Sequence, residues 1–382
     1  MPNQSTGSEA SFEIARFWLK ECVERHPNCP KPAANGFLPT RVIDVGTEGK
    51  PEALLCETKR ATIPESQRQF VALSHCWGTA QILTTTSQNL HERLACIPLS
   101  LLPPVFRDAV IATRKMGIRY LWIDSLCILQ DSHSDWQAES VQMCEVYHSA
   151  ILTISSSHSP DAQGGLFVDR DGAADLPFEV ELDLPPETMR AFEGFRLFPT
   201  PVRDEIYDSR DIPLETRAWT FQELVLAPRI LKYEATSMRW ECLTIHGSER
   251  HPYGGGSRHS DTIKELQSLI SRSLDNETDA FDIFGDAKAI QSIHWLIVVR
   301  EYTARNLTKQ TDRLVAIAGI ADRLQQRTKS RYVAGLWTNQ MPFQLLWYIS
   351  TLINPDNGID LSRAQLPDRP KDQISPSWSW AA

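Results

Sequence analysis

The sequence predicts an α/β protein: a parallel-sheet core, an added mixed α+β region and a helical C-terminal half. Three observations carry that prediction. Between residues 70 and 155, short apolar runs alternate with helix-period stretches in the order strand, helix, strand, helix, strand, the signature of a parallel sheet with right-handed crossovers. After residue 167 the pattern breaks into a Pro- and acid-rich stretch followed by short strands. From residue 261 the periodicity is helical. The chain has 382 residues, 42% of them hydrophobic and 23% charged, so it can bury a sizeable core without staples.

In order along the chain, residues 1–8 read as a tail and 11–24 as a helix that stops before Pro27. Residues 41–45 and 53–56 read as short strands. The run 70–74 is a strand ending in Ser74, His75, Cys76, Trp77 and Gly78. Residues 103–116 form a helix, because Val105, Ala109, Ala112 and Met116 recur at helical spacing and Gly117 is placed to cap it. A buried strand over 120–123 leads into Asp124. A second helix covers 135–150, with Ser134 and Gln137 at capping-box spacing, and a strand covers 151–155. Further on, a strand is expected at 195–198, a helix at 217–226, strands at 230–233 and 238–242, and a loop over 247–259. Helices at 261–274, 290–305, 309–326 and 343–353 complete the reading. The expected divisions are 1–66, 67–245 (core 67–167, accessory region 168–245) and 246–382.

Several function classes drop out. A net charge of −9 argues against a nucleic-acid binder that works by bulk charge. No apolar run is long enough to span a membrane, and no leader pattern opens the chain, so a cytoplasmic protein is expected. There is no Walker loop, G-x-G-x-x-G, H-E-x-x-H or G-x-S-x-G. Gly254-Gly255-Gly256 follows no strand and reads as a loop. The eight cysteines are scattered without a C-x-x-C pair and read as reduced, buried, small hydrophobes. Cys22, His26 and Cys29 have a spacing compatible with zinc, but no fourth ligand is evident nearby. The expectation is therefore no metal and no cofactor, with Cys22 packed inward on a helix ending near Pro27.

Ligands bind beyond the carboxyl ends of strands in such sheets. The polar groups gather there: Ser74 to Trp77, Asp124 to Cys127 and Ser155 to Ser157 each end a strand. On the helix that follows the second strand, Glu139 shares the face of Ser140, Met143, Val146 and Tyr147, while Glu145 points the other way. A carboxylate on an inward face is either a catalytic or ligand-binding acid or a structural one paired with an arginine or a buried amide. Ser74, His75 and Asp124 complete the candidate catalytic set. Cys76 beside His75, oriented by Asp124, offers a thiol nucleophile, although neighbours within a strand point to opposite faces. Trp77 and Trp122 could stack on a planar ligand, with Gly78 at the turn. Gln130 and Asp131 frame the helix N-terminus, where an anion would be welcome. Arg217, Gln222 and Glu223 flank Trp219 and Phe221 on a helix that could lean onto the sheet edge or hold two halves together.

These stretches resemble the fungal heterokaryon incompatibility (HET) domain: VALSHCWG at 71–78, LPPVFRDAV at 102–110, GIRYLWIDSLCILQD at 117–131, and the Trp136, Met143, Tyr147, Ala150 pattern. So do GLF at 165–167, RAWTFQELVLAPRIL at 217–231 and WEC at 240–242. LTKQTDRLVAIAGIA at 307–321, AGLW at 334–337 and PSWSWA at 376–381 are similar to pieces of that family's larger proteins, in which the last motif runs on into further sheet. A longer parent protein is therefore expected. The resemblance implies a fungal cell-death effector in non-self recognition, controlled by an upstream recognition protein or by homo-oligomerisation. The HET domain has been likened to the TIR domain, which implies a TIR/flavodoxin-like core. Some TIR domains cleave NAD at the nicotinamide glycosidic bond with a glutamate four residues after a tryptophan. Trp136 and Glu139 look similar at a spacing of three, which also falls on one helical face. The resemblance thus implies a nucleotide substrate, with Trp77 or Trp122 stacking on the base and the helix N-terminus taking the pyrophosphate. Three functions are carried forward: a nucleotide hydrolase acting on NAD, a non-enzymatic signalling module, and a Cys76-dependent hydrolase.

Overall fold

The strand over Phe70–Ser74 (β3 in chain order) is buried along its whole length, as an apolar run covered on both faces must be. It pairs in parallel with β4 (Tyr120–Trp122) on one side and with β5 (Leu152–Ser156) on the other. A fourth parallel strand, β6 (Arg229–Tyr233), lies against β5. Antiparallel strands extend both flanks. β1 (Arg41–Asp44) pairs with β4, and β2 (Leu54–Glu57) with β1. β7 (Met238–Cys242) pairs with β6, and β8 (His246–Ser248) with β7. The result is an eight-stranded sheet in the order β2-β1-β4-β3-β5-β6-β7-β8. Its parallel strands run second, first, third, fourth along the chain, the flavodoxin-like order.

This computed structural model describes residues 3–32, 36–47, 52–78, 82–171, 212–254, 266–268, 270, 287–347, 353–354, 358–359 and 374–382. The chain forms two compact units: Met1–Thr216 with Ala227–Arg258, and Arg217–Leu226 with His259–Ala382. The strand expected at 195–198 and most of the helix expected at 261–274 lie outside the described residues; 266–268 and 270 are helical.

In the first unit, α1 (Glu9–Arg25) buries Phe12, Ala15, Trp18 and Cys22 along one stripe, and the Ser8 side chain caps its start. Trp18 stacks on Trp240 of β7 at 6.2 Å and donates its indole N–H to the Pro252 carbonyl at 2.7 Å. A short helix α2 (Leu90–Ala95) precedes α3 (Pro104–Lys115). Pro104 opens α3, and Gly117 closes it with φ of +74°, the left-handed cap its position predicts. The one-turn α4 (Asp124–Cys127) follows β4, and α5 (His133–Ser149) leads to β5. The α5 cap differs from expectation: Ser132 is in the extended region and accepts from the Asp135 N–H at 3.2 Å, whereas Ser134 already lies inside the helix. The loop expected over 247–259 begins instead with β8, because its backbone can still pair with β7.

In the second unit, α6 (Ala218–Leu226) packs against α7 (Ala287–Thr303) and α8 (Val315–Thr328). A hairpin of β9 (Tyr332–Val333) and β10 (Leu336–Trp337) turns at Gly335, whose φ is +94°. A Cβ there would sit 2.6 Å from the Trp380 indole nitrogen, and the Gly335 carbonyl accepts indole N–H bonds from both Trp295 and Trp380 at 2.8 Å. Of the helix expected over 343–353, residues 348–352 lie outside the described residues, Leu345–Trp347 are not helical and Ile353–Asn354 is a strand. Helical turns cover Met341–Gln344 (α9), and Phe343 and Leu346 are exposed, so no core face drives the helix onward.

Leu73 is fully buried at the centre of the parallel sheet. Leu73→Ala should lower the unfolding free energy of the first unit by about 3 kcal/mol, read as a shift of the urea midpoint without a change of slope.

Candidate functional site

The chain runs from β3 to β4 on one side and returns to β5 on the other. The strand order therefore reverses between β3 and β5, and the crevice beyond their carboxyl ends is where open α/β sheets take ligands. Beyond β3 come His75 and Cys76, both buried, then the half-buried Trp77. The ring of Phe106 meets His75 edge-on at 4.9 Å. His75 Nε2 lies 3.9 Å from Asp124 Oδ1. That same oxygen accepts from the Ser125 N–H at 2.7 Å, while Asp124 Oδ2 accepts from the Trp77 indole at 2.8 Å. Asp124 thus ties the ends of β3 and β4 together and lies beside His75, at a separation longer than a hydrogen bond. Gly78 has φ of +69°, and a Cβ there would lie 2.3 Å from the Asp161 Cβ, so the loops after β3 and β5 meet at this residue.

Three buried hydroxyls at the same edge have no hydrogen-bond partner among the described residues: Ser74 at the end of β3, Ser125 after β4 and Ser156 at the end of β5. Buried polar groups are nearly always satisfied, so hydroxyls left open at a sheet's ligand edge point to a bound molecule or water. Ser155 and Ser157 instead bond each other at 2.9 Å.

Glu139 is 3% exposed and lies on the buried face of α5 with Met143, Val146 and Tyr147, as the helical wheel predicts. Glu145 is half-buried and accepts from Ser149. Burial raises the Glu139 carboxyl above its ordinary range, against a hydrogen bond to Thr40 and the charge of Arg41. Thr40 and Arg41 lead into β1, which runs antiparallel to β4, so Glu139 sits at the carboxyl edge but beside β4 and β1. Arg41 is itself committed. It pairs with Asp135 and donates to the Cys127 carbonyl at 2.7 Å. Asp135 also accepts from the Leu129 N–H at 2.8 Å.

The start of α5 is therefore already supplied with acceptors. Asp131 takes the Ser87 N–H and hydroxyl, which hold its carboxyl below its ordinary range. Gln130 donates to the Asp124 and Ile128 carbonyls, closing α4. Trp122 offers no face to a ligand, contrary to the stacking expectation: it is fully buried, edge-on to Tyr147 at 5.7 Å, because β4 is an interior strand. Arg217, Gln222 and Glu223 belong to the second unit. There Gln222 accepts from the Gly319 N–H at 2.8 Å, and the Arg217 backbone bridges to Asn306.

Sequence reasoning missed Arg41 and Asp161, and reached Ser125 and Ser156 only as members of the polar strand ends. Arg41 left a signal, a charge opening an otherwise apolar strand, but its partner Asp135 is 94 residues away. It also missed Cys242. The reading that Cys22, His26 and Cys29 lack a fourth ligand is corrected, because β7 brings Cys242 to within 4.8 Å of all three.

Residues 70–223 match the family model described as heterokaryon incompatibility protein (HET). Over that stretch the chain is similar to the HET domain. The match opens at the first residue of β3 and ends inside α6, so it takes in the crevice, Glu139 and the Arg217–Glu223 stretch. A HET domain supports a role in heterokaryon incompatibility. No curated protein and no solved structure shows significant similarity to the chain. No helix among the described residues is long and apolar enough to cross a membrane.

Two outcomes follow from this geometry. Gly78→Ala should destabilise the first unit by about 1–3 kcal/mol, through the clash with Asp161 and the left-handed backbone, measured by denaturant unfolding. For Glu139, the folded carboxyl titrates above its unfolded value. The stability it contributes is therefore full below the unfolded value and is lost as pH rises through the folded one. Glu139→Gln should raise the melting temperature at neutral pH. That advantage should vanish as the pH falls through the carboxyl range, as thermal melts across pH would show.

Proposed function

We propose that this protein is a fungal cell-death effector of heterokaryon incompatibility that cleaves NAD at the nicotinamide glycosidic bond, acting in the cytoplasm. The observation that carries the reading is Glu139, a buried acid on the inward face of α5 at the carboxyl edge of the parallel sheet. The open hydroxyls of Ser74, Ser125 and Ser156 support it, since a ribose or pyrophosphate would give them partners. The likeness of Trp136 and Glu139 to the TIR pattern supports it as well. Trp77 is the candidate for stacking on the base, and Asp124 and His75 are candidates for holding ribose hydroxyls.

The chemistry balances without a cofactor. The bond between C1′ and the nicotinamide nitrogen breaks, and its electron pair leaves with nicotinamide. The ribosyl cation that develops is stabilised by the Glu139 carboxylate. Water then adds to C1′, and its proton passes to the carboxylate and on to solvent, leaving ADP-ribose. The ionised form of Glu139 is the working form, so the rate should fall as pH drops through its raised titration range.

A second reading has its own support. Glu139 is engaged by Thr40 and Arg41, as a structural acid would be, which suits a module that signals through homotypic contacts or an upstream partner. The separating experiment is a chromatographic assay of NAD with concentrated purified protein beside Glu139→Gln. Nicotinamide release that falls by about 100-fold or more in the variant fits the hydrolase. If well-folded wild-type protein releases none, even when crowded into oligomers, the hydrolase is excluded for NAD and the signalling module stands. Release that survives Glu139→Gln but stops on alkylation of Cys76 would transfer the chemistry to the thiol.

A further inference from the structure

Outside the HET match, Cys22, His26, Cys29 and Cys242 converge from opposite ends of the first unit. Cys22 lies in the last turns of α1, His26 caps that helix, Cys29 follows three residues on, and Cys242 ends β7. The three sulfurs and a His26 ring nitrogen all lie within 4.8 Å of one another, with Cys242 Sγ 3.4 Å from His26 Nδ1. A tetrahedral zinc with bonds of about 2.0–2.3 Å holds its ligand atoms roughly 3.3–3.8 Å apart, so a small contraction closes the shell. All three cysteines are buried and none is in a disulfide.

The surroundings are built for thiolates. The Ile245 N–H points at Cys242 Sγ at 3.4 Å, across a turn closed by the Cys242 N–H to the Ile245 carbonyl at 3.0 Å. The Thr244 hydroxyl lies 3.5 Å from Cys29 Sγ. Arg229, 2% exposed, donates Nε to Cys22 Sγ at 3.2 Å. Its other partners are the Ile151 and Pro30 carbonyls, and among the described residues no carboxylate balances its charge. A buried guanidinium without a counter-charge is costly. Three thiolates and a neutral imidazole around a divalent ion carry a net charge of −1, which is the counter-charge that Arg229 lacks.

We infer that Cys22, His26, Cys29 and Cys242 form a structural zinc site that fastens the end of α1 to β7. Four protein ligands fill the tetrahedron and leave no position for substrate, so the ion supports the fold and does no chemistry. Sulfur and imidazole donors in this geometry select zinc over magnesium or calcium. Binding displaces the thiol protons to solvent.

The test is metal analysis of the purified full chain. About one zinc per chain is expected, with Cys144→Ser retaining it and Cys22→Ser and Cys242→Ser losing it. Chelation should lower the melting temperature by about 5 °C or more. Should the ligand variants fold poorly, cobalt(II) titrated into the metal-depleted wild type decides the matter. Intense visible bands of tetrahedral cobalt with thiolate-to-metal charge transfer, weakened in His26→Ala, support the site. A zinc-free chain that gives no such spectrum overturns it, and so does a native disulfide among Cys22, Cys29 and Cys242 found by mass spectrometry.

Discussion

Strand β3 is hydrogen-bonded on both sides and buried on both faces, and the rest of the first unit is placed relative to it. A strand in that position has no room for polar side chains until it leaves the sheet. Phe70, Val71, Ala72 and Leu73 are apolar, and the polar residues start at Ser74. β4 has the same aromatic and aliphatic character, whereas β5 admits the buried Thr153 in mid-strand before Ser155 and Ser156. Functional groups are therefore driven to one edge, and the reversal of strand order beside β3 opens a crevice among them. Asp124 bridges that edge by accepting from Trp77 and by lying beside His75.

Burial at this edge carries an electrostatic cost, and the molecule meets it unevenly. Arg41 and Asp135 satisfy each other, and Asp131 is held by Ser87. Glu139 is met only in part: desolvation outweighs Thr40 and Arg41 and leaves its carboxyl raised. An acid poised in this way is a common feature of functional sites and also occurs in structural networks. The unpartnered hydroxyls of Ser74, Ser125 and Ser156 lie along the same edge, and they favour a site that takes a ligand. At the far end of the sheet the imbalance has the opposite sign. The buried Arg229 has no carboxylate partner among the described residues and lies beside three thiols that can supply negative charge.

The parallel core was legible because its signals are local. Apolar runs of strand length, helical spacing in α3, Gly117 as a left-handed cap and the inward face of α5 all follow from residues within a few positions of one another. The α5 cap was misread because Ser132 and Ser134 both have the right chemistry, and backbone conformation decides between them. Trp122 could be read as a stacking platform because it ends a strand. Its burial depends on Tyr147 and on β4 being interior, and neither is visible in sequence.

The sequence by itself determined the α/β class, the three parallel strands, the HET resemblance, the polar edge and the inward Glu139. Each of these rests on side-chain chemistry and on helix or strand periods. Only the tertiary structure decided that the N-terminal strands and β6 to β8 extend one sheet. Only it showed that Arg41 faces Glu139 and Asp135, that Gly78 meets Asp161, and that Cys242 completes the set begun at Cys22. These are pairings between segments distant in the chain. Local propensity carries no record of them, because they are selected by the closure of the whole core, when many weak contacts form together.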